Sequence, residues 1–266
     1  MDPRWTTRRR PLERPRSYQY LLDLDLDLAE ELDIGMRLAA RASVTATTFE
    51  ADPGQLQLAE WLALASPGPG LLVLDGVIAA NVQVGDRTTA ELVGPGDLLQ
   101  PWNYADAELV CEIGWRALLP ARIAVLDASF ARRAQQWPQI TAALLRRAGE
   151  RTRRLQVQRA IASQPRLDVR LVLLMWHLAA RFGKVEPGGI RLPLPLTHEL
   201  LGRLISAERP SVSHALARLA HTGLLSGQRD DWHLHGSVEQ HLATMIEPPA
   251  STITQLIRSG ATPTGP

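Results

Sequence analysis

Arg209, Ser211, Ser213, His214 and Arg218 bring cations and short hydroxyl side chains together on one short stretch. Such groups bond to phosphate oxygens and base edges, so the chemistry they suit is recognition of nucleic acid. Gln228 and Arg229 add an amide and another guanidinium a little further on, and Thr197 offers a hydroxyl upstream. Bond-making chemistry has less to work with. All seven histidines lie at or beyond His177, so a metal-dependent enzyme built on residues 1–176 would have no imidazole ligand. His233 and His235 can share one strand face but lack an obvious third ligand, and there is no P-loop, serine elbow or convincing triad. The chain therefore reads as a non-enzyme, against two rivals: a protein–protein adaptor and a cupin-like β-barrel enzyme.

The elements that would position these residues run from Leu196 to His235. Thr197 suits an N-cap, and Leu200, Leu201, Leu204 and Ile205 give the following helix an apolar face. Gly202 sits inside that helix, where it weakens the helix but admits another backbone. Pro210 fits the first turn of a second helix, whose buried stripe is Val212, Ala215, Leu216 and Leu219. The residues from Leu224 to His235 alternate around a Gly/Asp turn and predict a β-hairpin. Helix, turn, helix and hairpin make a winged helix; a small helical subdomain with a solvated charged face is the alternative.

Upstream, Val44–Phe49, Gly70–Leu74, Val77–Val84, Thr88–Val93, Leu109–Ile113 and Ala121–Leu126 are short β-prone runs separated by glycine turns, which predicts a small barrel or jelly roll. Tyr20 to Ile34 mixes aspartates with leucines and fits either a strand or a leading helix, with helix favoured at its end. From Phe130 to Ala162 the pattern predicts a short helix and then one of about 25 residues. Its seam is Ile140, Leu144, Ala148, Leu155 and Ala162, interrupted by Arg151, and six arginines between Arg146 and Arg159 are expected on its exposed sides. Leu167 to Phe182 predicts an amphipathic helix closed by Gly183.

The expected fold class is α+β: a basic tail over 1–17, a β-jelly-roll or barrel sensor over 18–136, a dimerisation helix over 137–163, a winged helix over 164–247 and a flexible tail over 248–266. The basic tail is either a solvated arm or one that touches DNA phosphates. A net charge of +1 gives no global nucleic-acid signal, so any DNA affinity must come from local clustering of the 29 basic residues, of which Lys184 is the only lysine. The single cysteine, Cys111, excludes an internal disulfide and a cysteine-only iron–sulfur or zinc site. Neither a signal peptide nor a membrane anchor is visible, and the cytoplasm is the expected compartment.

The order Thr197, Gly202, Arg-Pro-Ser-Val-Ser-His and Leu-X-X-X-Gly-Leu-Leu into a wing resembles the C-terminal domain of the CRP/FNR family of bacterial transcription regulators. Gly94-Pro95-Gly96-Asp97 after two hairpins is similar to that family's cyclic-nucleotide-binding-like domain. The resemblance implies a homodimer on double-stranded DNA, with RNA polymerase as a further partner. It assigns DNA contacts to Thr197, Arg209, Ser211, Ser213, His214, Arg218, Gln228 and Arg229, and a dimer interface to Ile140, Leu144, Leu145, Ala148 and Leu155. An effector would be met by Gly96, Asp97, Trp102 and Cys111, although Cys111 and the aromatics Trp102, Tyr104 and Trp115 also fit plain core packing. The family's phosphate cassette, a Gly-Glu pair and then Arg followed by Ser or Thr, is missing: LLQPWNYADAELVCEIGW stands in its place. A cyclic phosphate buried there would lack a cation, so cyclic AMP is not the expected ligand. No cofactor is evident, and neither an iron–sulfur cluster nor a histidine-ligated haem is expected in the sensor.

Overall fold

Leu71-Leu72-Val73 and Ile123-Ala124-Val125-Leu126 carry no polar residue, the pattern of strands covered on both faces. The computed structural model describes residues 17–100, 111–228, 230–237 and 239–241, and it places both runs inside a sheet with a core on each side. In chain order the elements are β1 (Ser17–Tyr20), α1 (Leu21–Leu24), a 3-10 turn (Leu26–Ala29), α2 (Ile34–Ser43), β2 (Thr45–Ala51), β3 (Gly54–Leu56), α3 (Ala59–Ala65), β4 (Gly70–Asp75), β5 (Ile78–Val84), β6 (Arg87–Val93), β7 (Leu98–Leu99), β8 (Cys111–Ala117), β9 (Ala121–Leu126), α4 (Ala128–Ala134) and α5 (Pro138–Ala162).

The strands form two antiparallel sheets, β1-β2-β9-β4-β7 and β3-β8-β5-β6, arranged as a jelly-roll-like double layer and not as a closed barrel. Leu71, Val73, Ile123 and Val125 point between the sheets, where Phe49 stacks on Trp61 of α3 at 4.0 Å between ring centroids. Leu72, Ala124 and Leu126 point the other way, onto the N-terminal helices, α4 and the start of α5. Asp127 caps α4 by accepting from the Phe130 amide at 2.7 Å, which delivers Phe130 into this second core.

Two expectations for α5 are corrected. Ile140 and Leu144 are buried, fully and almost fully, among Leu21, Leu28 and Phe130 of their own chain, so they do not face a second subunit. Of the six arginines expected on exposed sides, Arg147, Arg151 and Arg154 turn inward onto Asp25, Glu91 and Asp97. The shared cause is spacing. Positions 140, 144, 147, 151 and 154 step by four and three and so lie along one face of the helix.

Chain contacts divide the protein into two units within α5, Met1–Gln156 and Val157–Pro266. The second unit contains α6 (Leu167–Phe182), β10 (Lys184–Glu186), β11 (Gly189–Leu192), α7 (His198–Ile205), α8 (Arg209–His221), β12 (Leu225–Gln228) and β13 (Asp231–His235), with a sheet in the order β10-β11-β13-β12. The basic N-terminal tail as far as residue 16 and the C-terminal tail lie outside the described residues. Among the described residues no helix is long and apolar enough to cross a membrane.

Phe130 is 1% exposed, and replacing it empties a close-packed site. Phe130→Ala is expected to cost about 3–5 kcal/mol of sensor stability by denaturant titration; a loss of less than about 1 kcal/mol would show that this core collapses to fill the void.

Candidate nucleic-acid interface

The second unit is built around the apolar face of α6, where Leu171, Val172, Leu174, Met175 and Leu178 are buried and against which α7 and α8 pack. Thr197 caps α7, its Oγ1 accepting from the Leu200 amide at 3.1 Å, and Leu200, Leu201, Leu204 and Ile205 are buried as their spacing predicts. The turn into α8 is very tight. Ser206 adopts a left-handed φ of 56°, the Ala207 amide donates to the Gly202 carbonyl at 2.9 Å, and a Cβ added at Gly202 would stand 2.4 Å from the Ala207 carbonyl oxygen. Glycine is required at this position.

α8 buries Val212, Ala215, Leu216 and Leu219 and turns its other side to solvent. Arg209, Ser211 and His214 are exposed, and none of their side chains hydrogen-bonds or ion-pairs with another described residue. Ser213 differs: its Oγ donates to the Arg209 carbonyl at 3.1 Å and lies 2.7 Å from His198 Nδ1, which is the donor in that arrangement. It ties the two helices together. Arg218 shares the stripe of Ser211 and His214 but pairs with Asp168, in the first turn of α6, at 2.5 Å. His198 and Asp168 are the partners that sequence reasoning missed; periodicity marks them as polar positions without saying what they meet.

Gln228 ends β12 opposite Asp231, and Arg229 lies outside the described residues. Across the wing sheet Arg191 Nε donates to Asp231 at 2.7 Å, and that hydrogen bond holds the Asp231 carboxyl below the usual carboxylate range.

Of the expected effector residues, Gly96, Asp97 and Cys111 lie among the described residues, on separate elements of the sensor. Trp102 and Tyr104 lie outside the described residues. Cys111 begins β8, half-buried, opposite Val84. Trp115 packs against the core between the sheets. Gly96, with φ of 84°, and Asp97 form a turn beneath α5, and Asp97 is completely buried. Its Oδ2 accepts from the Gly94 amide at 2.9 Å and its Oδ1 accepts from Arg154 Nη2. Arg151 chelates Glu91 with two bonds of 2.8 Å and also donates to the Leu98 carbonyl. Arg147 chelates Asp25. Burial opposes charge on Arg147 and Arg151, but the carboxylates facing them outweigh it and hold both guanidiniums above their ordinary range.

Residues 169–235 match the Crp-like helix-turn-helix domain family. The chain is 30% identical over 178 residues to the CRP-like cAMP-activated global transcriptional regulator of Mycobacterium tuberculosis, covering 60% of this chain and 73% of that protein. Similar solved folds include FixK2 from Bradyrhizobium japonicum, at 17% identity and a TM-score of 0.56 over 75% of this chain and 96% of that one. A cyclic nucleotide-binding domain containing protein from Listeria monocytogenes matches at 14% identity and a TM-score of 0.58, over 71% of this chain and 89% of that one.

Gly202→Ala is expected to destabilise the second unit by at least about 1–3 kcal/mol, the ordinary cost of overpacking, because the atom met is backbone and cannot swing away. Thermal melting followed by tryptophan fluorescence checks this, and a wild-type melting curve would refute the close approach of the two backbones.

Proposed function

The chain belongs to the CRP/FNR family of DNA-binding transcription regulators, and from that premise we propose that it binds a near-palindromic operator as a homodimer, with α8 as the helix that reads the major groove. The observation that carries this reading is the exposed set Arg209, Ser211 and His214 on a helix pinned from behind by Ser213–His198 and Arg218–Asp168. A helix fixed in this way can present its base contacts without a large ordering cost on binding. Thr197 caps a helix whose N-terminal amides suit a phosphate. Gln228 and Arg229 are assigned to backbone contacts at the wing. Arg218 either keeps Asp168 or exchanges it for a phosphate in the complex.

We assign the dimer seam to the outward stripe Leu145, Ala148, Thr152 and Leu155, where Leu145 is 68% exposed and Leu155 39%. RNA polymerase is the proposed downstream partner and the cytoplasm the proposed compartment. Cyclic AMP, named for the mycobacterial relative, is not proposed as the effector here: in the stretch from Leu98 to Trp115, Glu112 follows Cys111 and not a glycine, and there is no arginine to begin an Arg-Ser or Arg-Thr pair.

Genomic fragments offered to the purified protein at near-physiological salt are expected to yield a two-fold symmetric motif with half-sites ~34 Å apart. Arg209→Ala should then cost about 1–3 kcal/mol on that motif and relax its preference. Retention of full affinity and preference by the variant would remove Arg209 from the interface, and binding that ignores salt would reject the DNA reading. Leu145→Glu places a carboxylate on the proposed seam and is expected to shift the protein to monomer in sedimentation analysis; an unchanged mass would move the interface elsewhere.

A further inference from the structure

The inward face of α5 changes character along its length. Ile140 and Leu144 fill an apolar core, but the next three seam positions are Arg147, Arg151 and Arg154, each paired with a carboxylate of the sensor. Apolar residues would anchor a helix there without desolvating three guanidiniums. The charged stretch begins where α5 passes the Gly94–Asp97 turn. An added Cβ at Gly96 would stand 3.8 Å from the Arg147 guanidinium carbon, and Asp97 has both carboxylate oxygens engaged, by Arg154 and by the Gly94 amide. This is the same turn whose sequence marks the expected effector site. A phosphate or carboxylate ligand seeking Arg151 or Arg154 would have to expel Glu91, or an Asp97 that also closes the turn.

We infer that the sensor's effector seat is occupied by the protein's own carboxylates: Glu91 and Asp97 stand where an anionic effector would act, and through Arg151 and Arg154 they latch α5 to the sensor with no ligand bound. The latch replaces a diffusible signal by a permanent one, so DNA binding does not await a nucleotide. The inference rests on the regulator reading for its consequence, but not for its geometry. In the second unit α5 continues to Gln158, whose Nε2 donates to the Leu204 carbonyl of α7 at 3.0 Å.

Amide hydrogen exchange on the full chain without ligand tests the latch through the Glu91–Arg151 pair. R151E and E91R each set like charges face to face, and each is expected to speed exchange across residues 144–156 by about tenfold or more, with α8 amides unchanged. The E91R/R151E swap should restore protection to within about threefold of wild type, because opposed charges meet again. Wild-type protection in the single variants, or a swap as exposed as they are, would overturn the latch. Should either reversal unfold the sensor, R151Q decides in its place: faster exchange confined to α5 supports the latch, and unchanged exchange removes it. In a second arm, wild-type protein binds its operator with equal affinity, within about twofold, with and without saturating cyclic AMP; binding that appears only with the nucleotide contradicts the inference. A wild type that binds no DNA under any condition would defeat the regulator reading, while the exchange data still decide the latch.

Discussion

Asp97 has no surface open to water, and burying a carboxylate is costly unless a cation and hydrogen-bond donors compensate for the lost solvent. Arg154 and the Gly94 amide supply them, so closure of the Gly94–Asp97 turn and attachment of α5 to the sensor are parts of one interaction. Removing one partner of such a pair leaves a buried charge, which costs about 3–5 kcal/mol. Arg151 and Arg147 extend the same arrangement to Glu91 and Asp25, and between them the three pairs reach the β5–β6 hairpin, the loop before β7 and the N-terminal segment. The sensor is thus organised from two sides: apolar burial in and beneath its sheets, and paired charge along one helix.

In the second unit steric constraint takes the place of charge. The turn between α7 and α8 depends on an absent side chain at Gly202, and the left-handed Ser206 completes it. Once the two backbones are this close, Val212, Ala215, Leu216 and Leu219 have only one way to face α6, which leaves Ser211 and His214 outward. The polar residues on α8 therefore divide by what lies behind them. Ser213 faces His198 and Arg218 reaches Asp168, whereas Arg209, Ser211 and His214 face solvent and remain available.

Much of this architecture is written in local pattern. The 16-residue α6, the 25-residue α5, the helix-turn-helix and the sensor's six long strands follow from periodicity, caps and glycine turns, although β8 runs on to Ala117 beyond the expected end at Ile113. What escaped was short or ambiguous: β3, α3, β7 and β10 are too brief to show a period, and the Tyr20–Ile34 stretch breaks into a strand end, helical turns and the start of α2. Of the candidate DNA residues, Arg209, Ser211 and His214 were legible as exposed, while the engagement of Ser213 and Arg218 was not, since a polar residue opposite an apolar stripe can equally meet solvent or another helix. In the expected α5 seam, the burial of Ile140 and Leu144 was found but given the wrong neighbour. Hydrophobic attraction is non-directional, so Ile140 and Leu144 announce burial without naming what buries them.

The arginines did carry that information. A two-fold symmetric, parallel helix pair brings each seam position of one copy against the same position of the other. With Arg147, Arg151 and Arg154 on that seam, such a pair would stack cation on cation, and α5 has only one acidic residue, Glu150, to offset them. Like charges held at close range repel, and the repulsion grows as water is excluded. A seam containing these three residues must therefore seek carboxylates elsewhere in the chain, and those reside in the sensor. Any symmetric contact through α5 is left with a different stripe, the one carrying Leu145, Ala148, Thr152 and Leu155, whose side chains are small or apolar and can meet their own copies without a charge conflict.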